Sequence, residues 1–321
     1  MRQSAYAGCL FSILMASFFL GSCAPSKTQG GNVILMVVDG CSTSVLSAAR
    51  WYNTYTDSTF TGFNIDPYIC GLMRTYSVNS PIPGSPGAMS AIMTGQVCRS
   101  SAVATAPTRV ESPCTYIVDP STWDYDYEGR PLMTLLEAAA HEQGKKVGLV
   151  ATVEYWHATP AACSSHALSR NDQKSICRQM ASQGIDVLLA GGTDYLGDGV
   201  VDLLDAEGIT LIKENVPEYD AYSGDKLWSL FAPVGFGFEL DRNPSRQPSL
   251  AQMTSKALDI LSKGDKGFFL MVEGSKVDYA AHAKDPVGLL SDFRAFDDAV
   301  GVALDFAKKD GNTTVVIVAD H

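Results

Sequence analysis

Apolar runs of strand length alternate with longer segments of helical periodicity along most of this chain. The strand-like runs cover residues 32–38, 147–152, 186–191 and 267–272, and a last one begins at residue 313. The helical segments cover residues 131–145, 174–184, 249–264 and 291–311. Runs that are apolar at nearly every position are typical of strands buried on both faces, the closing run included. The alternation predicts an α/β fold with a mostly parallel sheet and helices on both of its faces.

Size and charge limit the classes of function. The chain has 321 residues, of which 46% are hydrophobic, which is enough for one large α/β domain or two smaller ones. A formal net charge of −11 argues against nucleic acid as a partner. Residues 99–130 are irregular and rich in Pro, Asp and Tyr. We expect them to form a surface excursion beside the functional site.

The N-terminus has the features of an export signal. Arg2 precedes an apolar stretch at 8–20, which is shorter than the roughly 20 residues needed to span a bilayer. The following Leu-Gly-Ser-Cys sequence, which ends at Cys23, resembles the lipobox of bacterial lipoproteins. We therefore expect a lipoprotein signal peptide at 1–23, a lipid anchor on Cys23 and a flexible tether at 24–31. The alternative is an ordinary cleaved signal peptide with an incidental cysteine.

An exported chain works in an oxidising compartment, either facing the periplasm or at the surface, and Ala24 after the cysteine favours the outer membrane. Besides Cys9 and Cys23, six cysteines remain, which allow up to three disulfides of unknown pairing. They are Cys41, Cys70, Cys98, Cys114, Cys163 and Cys177. None forms a CxxC pair, so a thiolate zinc site is not expected.

Three of the apolar runs end in an acid. Asp39 follows the first run, Glu273 follows 267–272, and Asp320 comes near the end of the last. Ligand sites in open α/β sheets form at the carboxyl ends of the strands. One such acid alone is ordinarily a helix cap. Three carboxylates converging at one edge would repel each other and lose hydration unless cations compensate, so together they predict a metal site.

Histidines lie beside these acids. Asp278 and His282 are four residues apart, so one helical turn would place both on the same face. His321 directly follows Asp320. Mixed oxygen and imidazole ligands suit zinc, whereas a set of oxygens alone suits magnesium.

A nucleophile is expected in the Gly- and Pro-rich stretch at 79–95. Ser85 falls where the loop turns into a segment of helical spacing. The amides and dipole of a helix N-terminus favour an anion there. The same position is also that of a helix cap, and Ser80 and Ser90 are competing candidates.

Several spaced motifs, in order, resemble the alkaline phosphatase family of bacteria and animals, over roughly residues 31–321. They are NVILMVVDG, GSPGAMSAIMTG, HATPAACSSHALSR, EGSKVDYAAHA and VIVADH. The resemblance implies a three-layer sandwich with a mostly parallel central sheet, and a catalytic domain at 32–321. It also implies hydrolysis of small phosphate monoesters, and the family is commonly dimeric.

Carried over residue by residue, the resemblance implies two zinc ions and one magnesium ion. Asp39, Asp320 and His321 would bind the zinc beside the nucleophile, Ser85. Asp278 and His282 would bind the second zinc. Asp39, Thr159 and Glu273 would hold the magnesium. Arg170 would bind two phosphate oxygens with its planar guanidinium, and two divalent cations would stabilise the attacking and leaving oxygens.

The chain departs from the family pattern at its end and at Gly84, while His157 and Tyr279 stand at positions that vary within the family. The family continues past the Asp-His pair and supplies another histidine to the second zinc, so we expect this chain to lack a C-terminal part and its activity to be impaired. Gly84 replaces an acid that helps to position the arginine. His157 stands where Asp or His occurs, and His is associated with weaker magnesium binding. Tyr279 shapes the phosphate pocket without adding charge.

Two alternatives to the phosphomonoesterase stay open from the sequence. One is another hydrolase of the superfamily, such as a sulfatase or a phosphodiesterase. The residues after Ser85 do not fit the sulfatase context, and an arginine that binds two free oxygens favours monoesters. The other alternative is an inactive member of the family that only binds metal or phosphate.

Overall fold

The computed structural model describes residues 31–107 and 129–321. One seven-stranded sheet has the order β4-β5-β3-β2-β6-β1-β7, and its neighbouring strands are parallel throughout. The strands are β1 (Asn32–Val38), β2 (Lys146–Glu154), β3 (Val187–Gly191), β4 (Thr210–Lys213), β5 (Leu227–Leu230), β6 (Phe268–Gly274) and β7 (Thr313–Val318). The predicted α/β fold with a parallel sheet is confirmed.

Ten α-helices accompany the strands in this part of the chain. They are α1 (Thr43–Thr56), α2 (Ser85–Thr94), α3 (Leu135–Glu137), α4 (Ala158–Ser164), α5 (Gln173–Ser182), α6 (Val200–Ala206), α7 (Val216–Ala221), α8 (Leu250–Leu261), α9 (Lys276–Ala283) and α10 (Pro286–Asp310). Alternate residues of β1 face opposite layers. Ile34 and Met36 pack in the core that includes α8 and α10, while Leu35 and Val37 pack in the core that includes α2 and α5. The sheet is therefore covered on both faces, as its apolar strands require.

The helix predicted at 131–145 is shorter than its periodicity suggested. It begins only at Leu135, because Thr134 caps it and Glu137 completes a capping box by accepting from the Thr134 backbone. A π-helical turn, Ala138–Glu142, follows directly. Pro131 lies outside the helix and bridges to Thr105. The local cap therefore decides the start, and the proline does not.

The long helix and several strands also differ from the prediction. The long helix begins at Pro286 rather than 291, since Asp285 caps it. β7 was expected to be buried, but it lies at the sheet edge beside β1, and Val316 is 40% exposed. The short strands β4 and β5 were not predicted. Each has four residues, too few for a clear apolar run.

The prediction that residues 99–130 form a surface excursion is wrong for the first part of this segment. Residues 102–106 are buried, and Val103 pairs with Ala167 through an isolated bridge. The remainder of that prediction, at 108–128, lies outside the described residues, as do the signal peptide and Cys23.

All five cysteines in the described part of the chain are free thiols. Among residues 31–107 and 129–321, no helix has the length and apolarity to cross a membrane.

Candidate active site

The register of the sheet brings the three strand-end acids to one place. Glu273 of β6 pairs with Val37 of β1, and Val37 pairs with Val318 of β7. Asp39 and Asp320 each follow two residues further along, so the period of two directs all three side chains to the same side. All three carboxylates are fully buried. The predicted convergence of these acids is confirmed.

Asp39, Asp320 and His321 form a compact ligand set. Ligand atoms of the three residues all lie within 4.8 Å of one another. His321 Nε2 lies 3.3 Å from Asp39 Oδ1 and 3.7 Å from Asp320 Oδ2. The Gly40 and His321 amides both donate to Asp320 Oδ1, at 3.1 and 2.8 Å, which leaves Oδ2 free to face the cluster. This set has the carboxylate and imidazole donors that zinc prefers.

Ser85 lies directly against this set. It is the first residue of α2, and Gly84 precedes it as the cap, so the serine side chain does not cap the helix. Its Oγ lies 3.4 Å from Asp39 Oδ1 and 3.3 Å from His321 Nε2. Ser90 instead donates to the Pro86 carbonyl and accepts from the Ala104 amide. Of the candidate serines, Ser85 is therefore the one that contacts the acid cluster.

A second group of oxygen atoms lies deeper, between β1, β6 and α4. Thr159 on α4 and Glu273 on β6 are both fully buried. Thr159 Oγ1, both Glu273 carboxylate oxygens, Asp39 Oδ2 and Asp320 Oδ2 have no hydrogen-bond partner within the described residues. Buried polar atoms without partners are rare and costly. Oxygens left in this way are the ligands that a hard divalent cation prefers, so this donor set fits a magnesium ion.

Asp278 and His282 lie on one face of α9, as the spacing predicted. His282 Nε2 is 3.4 Å from Asp278 Oδ2, but the histidine side chain is 81% exposed. Asp278 packs against Gly40, which has φ +63°, and a Cβ at Gly40 would lie 2.5 Å from Asp278 Oδ1. Only glycine combines this backbone conformation with the contact. Gly40 thus joins the β1 loop to the second ligand pair, a role that sequence reasoning did not assign.

Arg170, His157 and Tyr279 form a hydrogen-bonded group beside the ligand sets. Arg170 Nη2 lies 2.7 Å from His157 Nε2, and the Tyr279 hydroxyl lies 3.2 Å from the same nitrogen. Because a guanidinium only donates, His157 Nε2 must accept. Burial first, and then the charge of Arg170, lower the pKa of His157 to about 4, which agrees with a neutral ring. Its Nδ1 is buried and has no hydrogen-bond partner within residues 31–107 and 129–321.

The electrostatics of the acid cluster favour positive charge. Burial, followed by the charge of Asp39, raises the pKa of both Glu273 and Asp320 well above the usual range. Burial lowers the pKa of His321, but the hydrogen bond with Asp39 and the charges of Asp320, Asp39 and Asp278 outweigh it and raise the pKa to about 9. A proton on His321 and a cation beside it would serve the same charge balance.

The free energy of unfolding of the metal-free protein is expected to fall as pH rises from about 6.5 to about 9. The pKa of His321 is raised from 6.5 to about 9 in the folded state, so its stabilisation is complete below the unfolded value and is lost through the folded one. Glu273 and Asp320, with raised pKa values, act in the same direction. Urea unfolding at several pH values in a chelator measures this. His321→Gln should flatten the fall and His282→Gln should not; a parent whose stability rises over this range contradicts the assignment.

The fold and the residues at the strand ends define a class of α/β proteins with a buried cluster of potential metal ligands at the carboxyl edge of the sheet. Within that class, the chain belongs to the alkaline phosphatase family, whose model, "Alkaline phosphatase", matches residues 31–321. The chain is 34% identical over 317 residues to "Alkaline phosphatase 4" of Bacillus subtilis, and this match covers 92% of the chain and 62% of that protein. It therefore spans less than two thirds of the length of this relative.

Solved structures support the same family. The cold-active alkaline phosphatase of a psychrophilic Shewanella has a TM-score of 0.79 at 28% identity, over 90% of this chain and 68% of that one. A mutant alkaline phosphatase of the Antarctic bacterium TAB5, solved with Mg bound in its M3 site, has a TM-score of 0.73 at 28% identity, over 90% and 77% of the two chains. The fold predicted from the resemblance is confirmed.

Proposed function

We propose that this chain hydrolyses small phosphate monoesters through a phosphoserine intermediate on Ser85, with two zinc ions and one magnesium ion. The observation that carries the proposal is the position of Ser85. Its Oγ lies at the N-terminus of α2 and within 3.4 Å of Asp39 Oδ1 and 3.3 Å of His321 Nε2. A hydroxyl placed against metal ligands is poised to become a nucleophile.

The chain's own residues divide into three ligand groups. Asp39, Asp320 and His321 would hold the zinc beside Ser85, and Asp278 with His282 would hold the second zinc. Asp39, Thr159 and Glu273 would hold the magnesium, as their unpartnered buried oxygens favour. When bound, such ions neutralise the charge on the attacking and leaving oxygens of a phosphoryl group.

The remaining steps belong to the protein. The guanidinium of Arg170 donates to two non-bridging phosphate oxygens, and it is attracted more strongly to a monoester dianion than to a diester, which carries half the charge. Ser85 Oγ then forms a bond to phosphorus while the ester P–O bond breaks, and the serine proton ends on the leaving alcohol. Water next attacks phosphorus, the Oγ–P bond breaks, and serine and phosphate are released.

The location and assembly that accompany this function are also proposals. We propose export across the inner membrane and attachment to the outer membrane through lipid on Cys23, with the tether at 24–31 separating anchor and catalytic domain. We further propose a homodimer. Labelling with a radioactive fatty acid tests the anchor, because Cys23→Ser should remove the label, and light scattering of the soluble domain tests the dimer.

A panel of three substrates tests the proposed reaction. With zinc and magnesium supplied, the 321-residue chain is expected to release phosphate from an aryl phosphate at least about 100-fold faster than it cleaves a bis-aryl phosphate or an aryl sulfate, since Arg170 matches a dianionic phosphoryl group. Equal cleavage of the sulfate or the diester contradicts a monoesterase. No turnover of any substrate by a folded, metal-loaded chain contradicts the proposal and favours a protein that only binds.

A further inference from the structure

The side chain of Lys276 places a positive charge inside the candidate active site. None of the proposed groups of metal ligands includes this residue. It is the first residue of α9, the helix that also carries Asp278 and Tyr279. Its side chain is largely buried, and Glu154, Asp292 and Glu273 are the carboxylates whose charge acts on it. In the part of the chain that the structure describes, Lys276 forms no salt bridge. A buried ammonium without an ion pair needs another favourable contact.

That contact is the face of Tyr279. Lys276 Nζ lies 4.1 Å from the centroid of the Tyr279 ring, well inside the range of a cation–π interaction. The two residues are three apart on α9, so they share one side of the helix. Contact of the ammonium with the ring face favours one orientation of the Tyr279 side chain, and the direction of the Cγ–Cζ axis in that orientation sets where the hydroxyl oxygen lies.

The hydroxyl continues the contact toward the phosphate-binding arginine. It lies 3.2 Å from His157 Nε2, and the two rings have centroids 5.7 Å apart. The same nitrogen accepts from Arg170 Nη2 at 2.7 Å. His157 has no hydrogen-bond partner at Nδ1 among the described residues. Its Nε2 has one lone pair, so Arg170 is the main donor at 2.7 Å and the Tyr279 hydroxyl shares the same acceptor as a longer, weaker contact at 3.2 Å. We call Lys276, Tyr279, His157 and Arg170 the relay.

The backbone beside Lys276 keeps the ammonium in its place. A Cβ built on Gly235 would lie 3.2 Å from Lys276 Nζ, 3.2 Å from Val153 Cα and 3.4 Å from Glu154 Oε2, so the ammonium and the Glu154 carboxylate border the same glycine. The loop after β5 therefore approaches β2 so closely that the ammonium has little room to move away from the ring. Phe236 anchors this loop by donating its amide to the Thr152 carbonyl at 2.9 Å.

We propose that Lys276 is a positioning residue: by fixing Tyr279 it holds His157, and through His157 it holds the guanidinium of Arg170 ready for a phosphoryl group. The proposal rests on the proposed function for its consequence, which is tighter phosphate binding, but the relay itself involves only protein groups. The competing explanation is that Lys276 merely balances the charge of the carboxylates around it, Glu154 first and then Asp292 and Glu273. In that case its effect would pass through those carboxylates, or through a metal held by Glu273, and not through Tyr279.

A double-mutant cycle separates the two explanations, with binding of inorganic phosphate to the zinc- and magnesium-loaded chain measured by calorimetry. Lys276→Met and Tyr279→Phe should each weaken binding about three- to tenfold, the worth of one cation–π contact or hydrogen bond. The double variant should be no weaker than either single one, because both interrupt the same relay. Lys276→Arg should restore binding to within about twofold, since guanidinium also stacks on aromatic rings. The exposed Lys309→Met is the matched control and should leave binding unchanged.

A second readout needs neither metal nor phosphate. Rotation of the Arg170 guanidinium about its Nε–Cζ bond, measured by nuclear magnetic resonance, should become at least about threefold faster in Lys276→Met and in Tyr279→Phe. If rotation is unchanged in Lys276→Met, the relay is wrong. If Lys276→Met lowers zinc or magnesium content while Tyr279→Phe has no effect on phosphate, Lys276 acts as a countercharge and the proposal fails. If the parent binds no phosphate but Arg170 still rotates faster in the two variants than in the parent, the proposed function is contradicted and the relay is supported.

Discussion

Replacing Ser85 by alanine is expected to lower phosphate release by at least about 10³-fold, because it removes the hydroxyl that contacts the proposed zinc ligands and would form the covalent intermediate. Ser85 Oγ lies within 3.4 Å of Asp39 Oδ1 and 3.3 Å of His321 Nε2, so its removal deletes the nucleophile and leaves every proposed ligand in place. Metal content should therefore stay at the parent level. Phosphate release from an aryl phosphate, followed with zinc and magnesium present, measures the loss.

Two other serines in the same stretch serve as matched controls. Ser80 donates to the Ile82 carbonyl in the loop, and its replacement by alanine should leave the rate within about twofold. Ser90→Ala removes the group that accepts from the buried Ala104 amide and should lower stability by about 1–3 kcal/mol without a comparable loss of turnover in the folded fraction. If Ser85→Ala keeps more than a tenth of the parent rate, Ser85 is not the nucleophile.

Zinc and magnesium are expected to raise the midpoint of thermal unfolding by roughly 10 °C. Asp39, Glu273 and Asp320 are fully buried and close together, so the metal-free fold is weakened by their repulsion and desolvation. A ligand that binds only the folded state contributes about 4 kcal/mol at 1,000 times its Kd, and each kcal/mol shifts a domain of this size by about 2–4 °C. Differential scanning calorimetry in chelator and in metal measures the shift.

The variant Glu273→Gln should change the thermal midpoint differently in chelator and in magnesium. In chelator the variant should be as stable as the parent or more so, because it removes a buried carboxylate that is repelled by Asp39. On adding magnesium it should gain little, since glutamine offers only one neutral oxygen. Asp259→Asn, on the exposed side of α8, is the control and should behave as the parent. A parent whose midpoint is the same with and without metal contradicts the metal centre.

The central strands could be predicted from the sequence because each is an apolar run bounded by polar residues. β1 and β6 are buried on both faces, so nearly every position is apolar and the signal is strong. β4 and β5 were not predicted, because each has only four residues and so shows no clear apolar run. β7 was wrongly expected to be buried, because Thr314 and Val316 look like core residues although their side of the edge strand is exposed.

The acid cluster could also be predicted, because parallel strands end at one edge and β6, β1 and β7 are neighbours. The roles of Thr159 and Arg170 could be predicted only from the family resemblance, because these residues lie on a helix and a loop from elsewhere in the chain. Lys276 was missed for a different reason. A lysine at the start of a helix reads as a solvated residue, and only the approach of Gly235 and the ring of Tyr279 make it part of the site.

The most direct test of the account is the metal content of the folded protein. After incubation with zinc and magnesium and passage through a desalting column, elemental analysis should find zinc and magnesium retained by the parent. Asp39→Asn should lose both kinds of ion, because this carboxylate belongs to two of the three proposed ligand groups, whereas Asp259→Asn should lose none. A folded parent that retains no zinc would contradict the claim that these strand-end acids form a metal centre.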